Sequence, residues 1–235
     1  MKTSLFDFYL PEDRIAQSPA AERDRARLLH VTMGGVHNRH IYELPQLLSS
    51  KDVLIFNNTK VIPARLYGKR GDMAVEILLH RQIAPLKWRC FARPAKRLKL
   101  GQEVIFSHHA NHEGRAGPTL TATVTEKCES GEVVLQFEEV DAAAFWQALD
   151  AIGHLPLPPY IARTGGNIAE DATRYQTVYA QHEGSVAAPT AGLHFTHALI
   201  AKLKGQGVEM HEVTLHVGGG TFLPVKRSEE HTSEL

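Results

Sequence analysis

Short β-type runs of apolar residues alternate with turn signals along the middle of this chain, while its two ends mix helical and strand patterns. Leu28-Leu29-His30-Val31 predicts a short strand ended by a turn at Gly34-Gly35. Pro45 to Ser50 fits one or two helical turns, and Val53-Leu54-Ile55-Phe56 a buried strand running into the polar tip Asn57-Asn58-Thr59. From about residue 65 the texture changes. Ala74–His80, Trp88–Ala92, Glu103–Ser107, Leu120–Glu126 and Glu132–Phe137 each read as strands, broken by Gly101 and the Gly114–Pro118 region. Strands at that spacing predict a small antiparallel barrel or sandwich inserted into a first domain.

Asp141–Asp150 predicts a helix capped by Asp141, with Phe145, Trp146 and Leu149 on one face and Gly153 beyond its end. The run from Leu155 to Tyr160 holds three prolines (Pro156, Pro158 and Pro159), which excludes helix and central strand. Further helices are expected over Glu170–Ala180 and His194–Lys204, and a strand over Met210–Val217 feeding Gly218-Gly219-Gly220. The expected architecture is α/β: a discontinuous main domain of residues 1–64 and 151–226 with an inserted antiparallel β-barrel at 65–150.

Composition narrows the class. The chain has 235 residues, 43% apolar and 22% charged, enough to bury a core. Its 26 basic and 26 acidic side chains cancel, so any nucleic-acid footprint must be local. Between Ile77 and Gln102 there are seven basic residues (Arg81, Lys87, Arg89, Arg93, Lys96, Arg97 and Lys99) and no acidic one, with Trp88 and Phe91 among them. That block suits phosphates with stacking, or is a solvated face. Cys90 and Cys128 have no metal-ligand spacing, no window has a membrane span's run of apolar residues, and Met1–Asp7 lacks a signal-peptide core. A cytoplasmic protein is expected, with no metal.

Candidate chemistry lies in two glycine-bearing stretches. His182 to Thr196 combines small residues with Thr190, Gly192 and His194. It reads either as a backbone-lined ligand site, whose helix start after Thr190 would favour an anion, or as a tightly packed loop–helix junction. Val213 to Phe222 places glycines after a strand, but Thr221-Phe222-Leu223-Pro224-Val225 is strand-like, so the dinucleotide fingerprint fails and a close turn is favoured. Arg174 to Tyr179 would place Tyr175 and Tyr179 on one helix face. The polar stretch Arg227–Leu235 has no core face, and one back-translation of it looks like a sequencing-adapter sequence. It is expected to be a non-native tail, with authentic protein ending near Lys226.

Together these stretches resemble the queuosine-pathway S-adenosylmethionine:tRNA ribosyltransferase-isomerase family. The resemblance runs from Phe6-Asp7-Phe8-Tyr9-Leu10-Pro11 and Ile15-Ala16-Gln17 through Phe56–Leu66, Arg93-Pro94-Ala95-Lys96, Gly153–Ile161, Arg174–Ala180 and Ala187–Thr196 to Thr221–Val225. Gly219 departs from the alanine expected between the glycines. The family continues past this point, so the main domain is expected to be incomplete, with its C-terminal part missing.

The resemblance implies a barrel-like α/β main domain with an inserted β-barrel. It implies transfer and isomerisation of the ribosyl moiety of S-adenosylmethionine, a consumed co-substrate, to 7-aminomethyl-7-deazaguanine at the tRNA wobble position. The products would be epoxyqueuosine-tRNA, adenine and methionine. His194 is the acid/base candidate. Thr190, Gly192, Phe195, Tyr175, His216, Gly218, Gly220 and Thr221 are candidates for substrate binding, and Arg93, Lys96 and Arg97 for tRNA. No further cofactor is expected, and the expected state is a monomer. A non-catalytic RNA-binding module and an S-adenosylmethionine methyltransferase are the alternatives; the missing strand–Gly-rich loop–helix context argues against the latter.

Overall fold

A computed structural model describes residues 3–107, 117–128, 131–138, 141–161, 163 and 169–222. Positions 114–116 of the expected break, Leu223-Pro224-Val225 and the tail at 227–235 lie outside the described residues. The chain is mixed α/β, and its largest element is a closed six-stranded antiparallel barrel.

The first strand, β1 (Arg27–Thr32), is half of a hairpin with β2 (Gly35–His40), registered from Arg27↔His40 to Thr32↔Gly35. The polar run of β2 hid it from a pattern reading: none of its side chains is buried. After a one-turn helix, α1 (Leu44–Leu47), come β3 (Val53–Asn57) and β4 (Thr59–Val61). Both find parallel partners late in the chain: β4 pairs with β11 (His182–Ser185), and β3 with β12 (Glu209–Val213).

Between β4 and β11 the chain builds the barrel from β5 (Arg65–Arg70), β6 (Met73–Ala84), β7 (Lys87–Arg93), β8 (Glu103–Ser107), β9 (Thr119–Lys127) and β10 (Val133–Phe137). The two three-stranded meanders join through β5–β8 and β10–β7, giving the cyclic order β10-β7-β6-β5-β8-β9. Alternation drives closure. Val75, Ile77 and Leu79 of β6, Val104 and Phe106 of β8, and Leu120, Ala122 and Val124 of β9 all point inward and are buried. Sequence patterning missed β5, whose run Arg65-Leu66-Tyr67-Gly68-Lys69-Arg70 is mostly polar and buries only Leu66.

Helix α2 (Ala142–Ile152) belongs to the same core: Phe145, Ala148, Leu149 and Ile152 join the barrel's buried cluster. Its start is fixed by Asp141, whose side chain accepts from the Ala144 amide at 2.8 Å. His154 then exchanges both backbone hydrogen bonds with Arg65, at 3.0 and 2.8 Å, tying the helix exit to the barrel entry.

Three expectations need correction. The helix expected over Glu170–Ala180 stops early: α3 spans Ala169–Arg174. Gln176 leaves the helix because its amide bonds both ways to the Val61 backbone, at 3.0 and 2.7 Å. The helix expected from His194 begins at His197: α4 (His197–Gly205) is capped by Thr196, and Thr190–His194 form a separate 3-10 turn. The strand expected over Met210–Val217 ends at Val213. From Leu215 on, the Asn57 and Ser185 side chains and the single amide of Val186 take over its backbone groups. Among the described residues no helix is long and apolar enough to cross a membrane.

Candidate functional site

The geometry of the site begins at the polar tip Asn57-Asn58-Thr59. Asn58 is buried and stands where the chain changes partners. Its amide donates to the Val213 carbonyl at 2.9 Å, and its carbonyl accepts from Gln181 and His182. Its side chain donates to Glu212 at 3.0 Å and accepts from Thr214 at 2.7 Å. The Asn57 amide acts as a surrogate strand, donating to the Leu215 carbonyl at 2.9 Å and accepting from its amide at 3.1 Å. Ser185 completes the clamp. Its hydroxyl donates to Ala187 O at 2.8 Å and accepts from Val217 N at 2.9 Å, while Val186 N donates to Val217 O at 2.9 Å. Residues 214–217 are thereby held with no ladder of their own, although Thr214, Leu215 and His216 are exposed.

This clamped segment runs between two hollows that share Val217. One, about 340 Å³, is walled by Pro158, Pro159, Tyr175, Ala188, Thr190 and Thr221. The other, about 380 Å³, has His80, Trp88, Trp146, Glu183, His216 and Gly218 among its walls. Pro158 and Pro159 continue into a third hollow of about 500 Å³, where Arg65, Tyr67, Phe91 and Arg93 of the barrel face His154. A cleft therefore follows the seam between the barrel and the parallel strand pairs, within the size range of small-molecule sites.

The glycine triplet sits against the barrel. Gly219 is buried, and a Cβ there would lie 2.8 Å from the Phe91 ring and 2.9 Å from His80 Cβ. Those two rings stack at 4.5 Å. The imidazole Nε2 of His80 lies 2.7 Å from Glu132 Oε1 in a largely buried pair. Desolvation outweighs that carboxylate and lowers the His80 pKa below the ordinary histidine value. Gly220 faces open space.

The expected residues divide between the hollows and the packing. Thr190, Tyr175 and Thr221 meet in the first hollow; His216 and Gly218 line the second. Tyr175 is not on a helix face shared with Tyr179: it packs with Val61, Leu155, Leu157 and Ala188. Tyr179 lies on Phe56, and its hydroxyl takes the space a side chain at Gly192 would need. Burial pushes the Tyr179 hydroxyl up to about 12. Phe195 meets Phe56 edge-on at 5.2 Å.

His194 is half-buried at the end of the 3-10 turn, its Nδ1 3.2 Å from Ala191 O, and is not among the residues lining these three hollows. The turn is one five-residue 3-10 segment, so the helix start expected at Thr190 is absent. Arg93 ends β7, and Lys96 and Arg97 lie on the turn that follows, anchored by fully buried Leu98; all three are exposed. Only Arg93 reaches the cleft. Pattern reading did not assign Thr59, Glu183, Gly184 or Trp88 to this site, although Glu183 and Gly184 fall in the glycine-bearing stretch His182–Thr196 and Trp88 in the basic block. For Thr59 the visible signal was the polar tip Asn57-Asn58-Thr59, and nothing local shows what it faces.

The fold and cleft define an α/β protein with an antiparallel barrel set between paired parallel strands and a polar, aromatic-walled seam. Residues 3–235 match the family described as queuosine biosynthesis protein. Proteins of Brucella ovis and Brucella canis named S-adenosylmethionine:tRNA ribosyltransferase-isomerase are each 52% identical over 231 residues. The match takes in 96% of this chain and 63% of theirs. A crystal structure of S-adenosylmethionine tRNA ribosyltransferase from Thermotoga maritima is 31% identical and aligns with a TM-score of 0.33, over 91% of this chain and 58% of that one. The chain belongs to the queuosine biosynthesis protein family, and it spans 63% of the length of the Brucella relatives.

Proposed function

We propose that this chain carries the cleft of an enzyme that moves the ribosyl group of S-adenosylmethionine onto 7-aminomethyl-7-deazaguanine in the wobble position of tRNA. Adenine and methionine leave, and the RNA becomes epoxyqueuosine-tRNA. The observation that supports this most is the continuous seam of three hollows, in which Val217 separates an aromatic compartment from one walled by Thr190 and Thr221. Two substrates of different shape need adjoining compartments and a shared wall.

The chemistry follows from the sulfonium. Its positive charge acidifies the C5′ protons, so a base forms an ylide. Loss of adenine then opens the ribose. The aminomethyl nitrogen attacks the carbon so exposed, and an oxygen displaces methionine as the epoxide closes. A dry compartment favours each charged step. His194 is proposed as the acid/base group because its turn carries Thr190 to the cleft wall. The basic turn at Arg93, Lys96 and Arg97 is proposed to hold tRNA phosphates. The barrel and α2 (65–150) are read as one domain and residues 1–64 with 151–226 as the other. The setting is read as cytoplasmic, consistent with free Cys90 and Cys128, and the state as monomeric.

The test is incubation of the chain with S-adenosylmethionine and tRNA bearing the aminomethyl base, reading free adenine by chromatography and donor binding by equilibrium dialysis. Donor binding with adenine release is expected. Absence of both refutes the proposal for this chain, and S-adenosylhomocysteine in place of adenine would mark a methyltransferase. His194→Ala should slow release at least about a hundredfold if that imidazole moves protons; a loss of only a few fold would leave it a packing residue.

A further inference from the structure

The 380 Å³ hollow brings together features that proton transfer at His194 does not use. His216 Nδ1 lies 2.7 Å from the hydroxyl of Thr59, a fully buried residue. That hydroxyl has one proton and two acceptors in reach: Nδ1, and the His182 carbonyl at 3.5 Å. Hydroxyl donors favour separations of roughly 2.5–3.0 Å. The hydroxyl therefore donates to Nδ1 as the acceptor, and a neutral His216 must carry its own proton on Nε2.

The ring is also seated. A Cβ on Gly184 would lie 2.8 Å from Cε1, 2.9 Å from Nε2 and 3.0 Å from Nδ1 of His216, so the imidazole lies over the bare glycine. The φ of +144° at Gly184 is one that other residues rarely adopt. Neither the space nor the dihedral admits another side chain.

Trp88 lines the same hollow with the face of a largely buried ring. Trp146 stands edge-on to Trp88 at 6.1 Å and gives the hollow a second aromatic wall. Glu183, paired with Lys60 at 2.7 Å, supplies a carboxylate at the rim.

We propose that His216 presents its Nε2 N–H to an acceptor nitrogen in the ring of a purine-type heterocycle, with Thr59 and Gly184 as positioning residues for His216. An oriented N–H donor calls for a ligand with such an acceptor. The tryptophan walls call for a flat one, and Glu183 fits an exocyclic amine. The inference rests on the proposed ribosyl transfer only in naming the two heterocycles at hand, the adenine of the donor and the deazaguanine of the RNA.

Long-range ¹H–¹⁵N spectra of the intact chain at about pH 8, where an ordinary imidazole is neutral, read the tautomer directly. His216 is assigned by the signal missing in His216→Gln. The proton is expected on Nε2, with a mixed tautomer in Thr59→Val and the wild-type pattern restored in Thr59→Ser. Adenine and 5′-deoxyadenosine in one arm, and 7-aminomethyl-7-deazaguanine in the other, distinguish the source of the heterocycle. The ligand that belongs there shifts both the His216 Nε2 and Trp88 indole signals. Thr59→Val should weaken it by roughly tenfold, one oriented hydrogen bond.

A wild-type proton on Nδ1 overturns the proposal. So does a heterocycle that binds Thr59→Val as tightly as wild type, leaves either signal unmoved, or fails to bind in both arms. If Thr59→Val does not fold, the wild-type tautomer and ligand shifts decide alone. Heterocycle binding without adenine release from S-adenosylmethionine would leave this proposal standing and sink the ribosyl-transfer reading.

Discussion

Replacing Arg93, Lys96 and Arg97 together by glutamine should flatten the salt dependence of tRNA binding, and the size of the change follows from the structure. All three side chains are exposed and have no ion pair among the described residues, so each charge is available to a phosphate. Every phosphate neutralised contributes about −0.7 to the slope of log K against log salt on a single strand, and about −0.9 on a duplex. Three contacts give a slope change of roughly 2.1–2.7. Between about 50 and 200 mM salt, a fourfold range, that slope is worth roughly 20- to 40-fold in affinity. Fluorescence anisotropy of labelled tRNA across a KCl series measures it for wild type, for the triple variant and for Arg97→Gln alone, which should lose about one third of the change. Parallel lines for wild type and triple variant would refute the assignment, since lost contacts must release fewer counterions whatever else changes.

Leu149 is fully buried where α2 enters the barrel core, so Leu149→Ala should cost about 3 kcal/mol in urea unfolding. A cost below about 1 kcal/mol would mean that the helix is not integral to the barrel. Asp141→Ala removes the cap on the same helix and should cost about 1 kcal/mol, with Asp141→Asn recovering most of it. His80 has a lowered pKa through burial, so the unfolded chain gains a proton before the folded one does. Its contribution is intact above the ordinary histidine value and is lost as pH falls below it. Urea midpoints should drop on the acid side in wild type and drop less in His80→Gln; identical profiles would contradict this. Tyr179 is raised to about 12, so its contribution holds below the ordinary tyrosine value and is lost as pH climbs toward 12. Burial raises Tyr175 as well, so tyrosinate absorbance should show late-titrating groups of which Tyr179→Phe removes one.

Where one apolar face is enough to specify an element, the sequence was readable. Four of the five barrel strands read between Ala74 and Phe137 alternate because the barrel has an inside and an outside, while β10 buries Val133, Val134 and Leu135 in succession; Asp141 announces its helix because capping is a contact across three residues. β2, β5 and β4 escaped because their side chains are mostly polar or their run is only three residues long, and their place is set by backbone partners instead. The helix expected through Ala180 failed for a related reason. Local propensity favours it, but the distant Val61 backbone takes the Gln176 amide.

The same division holds for the site. Glycine and threonine near residues 190 and 220 marked backbone that must approach something closely, a local property. Which hollow each residue joins depended on Asn57, Asn58 and Ser185 clamping residues 214–217, across more than 150 positions in the case of the Asn57–Leu215 pair. By itself the sequence determined which segments could be strand, helix or turn, and where basic and glycine-rich chemistry lay, because those depend on neighbours within a few residues. Tertiary structure alone decided that Thr59 meets His216 and that Trp88 shares their hollow. Buried polar groups must find partners, and the partners here come from opposite ends of the chain.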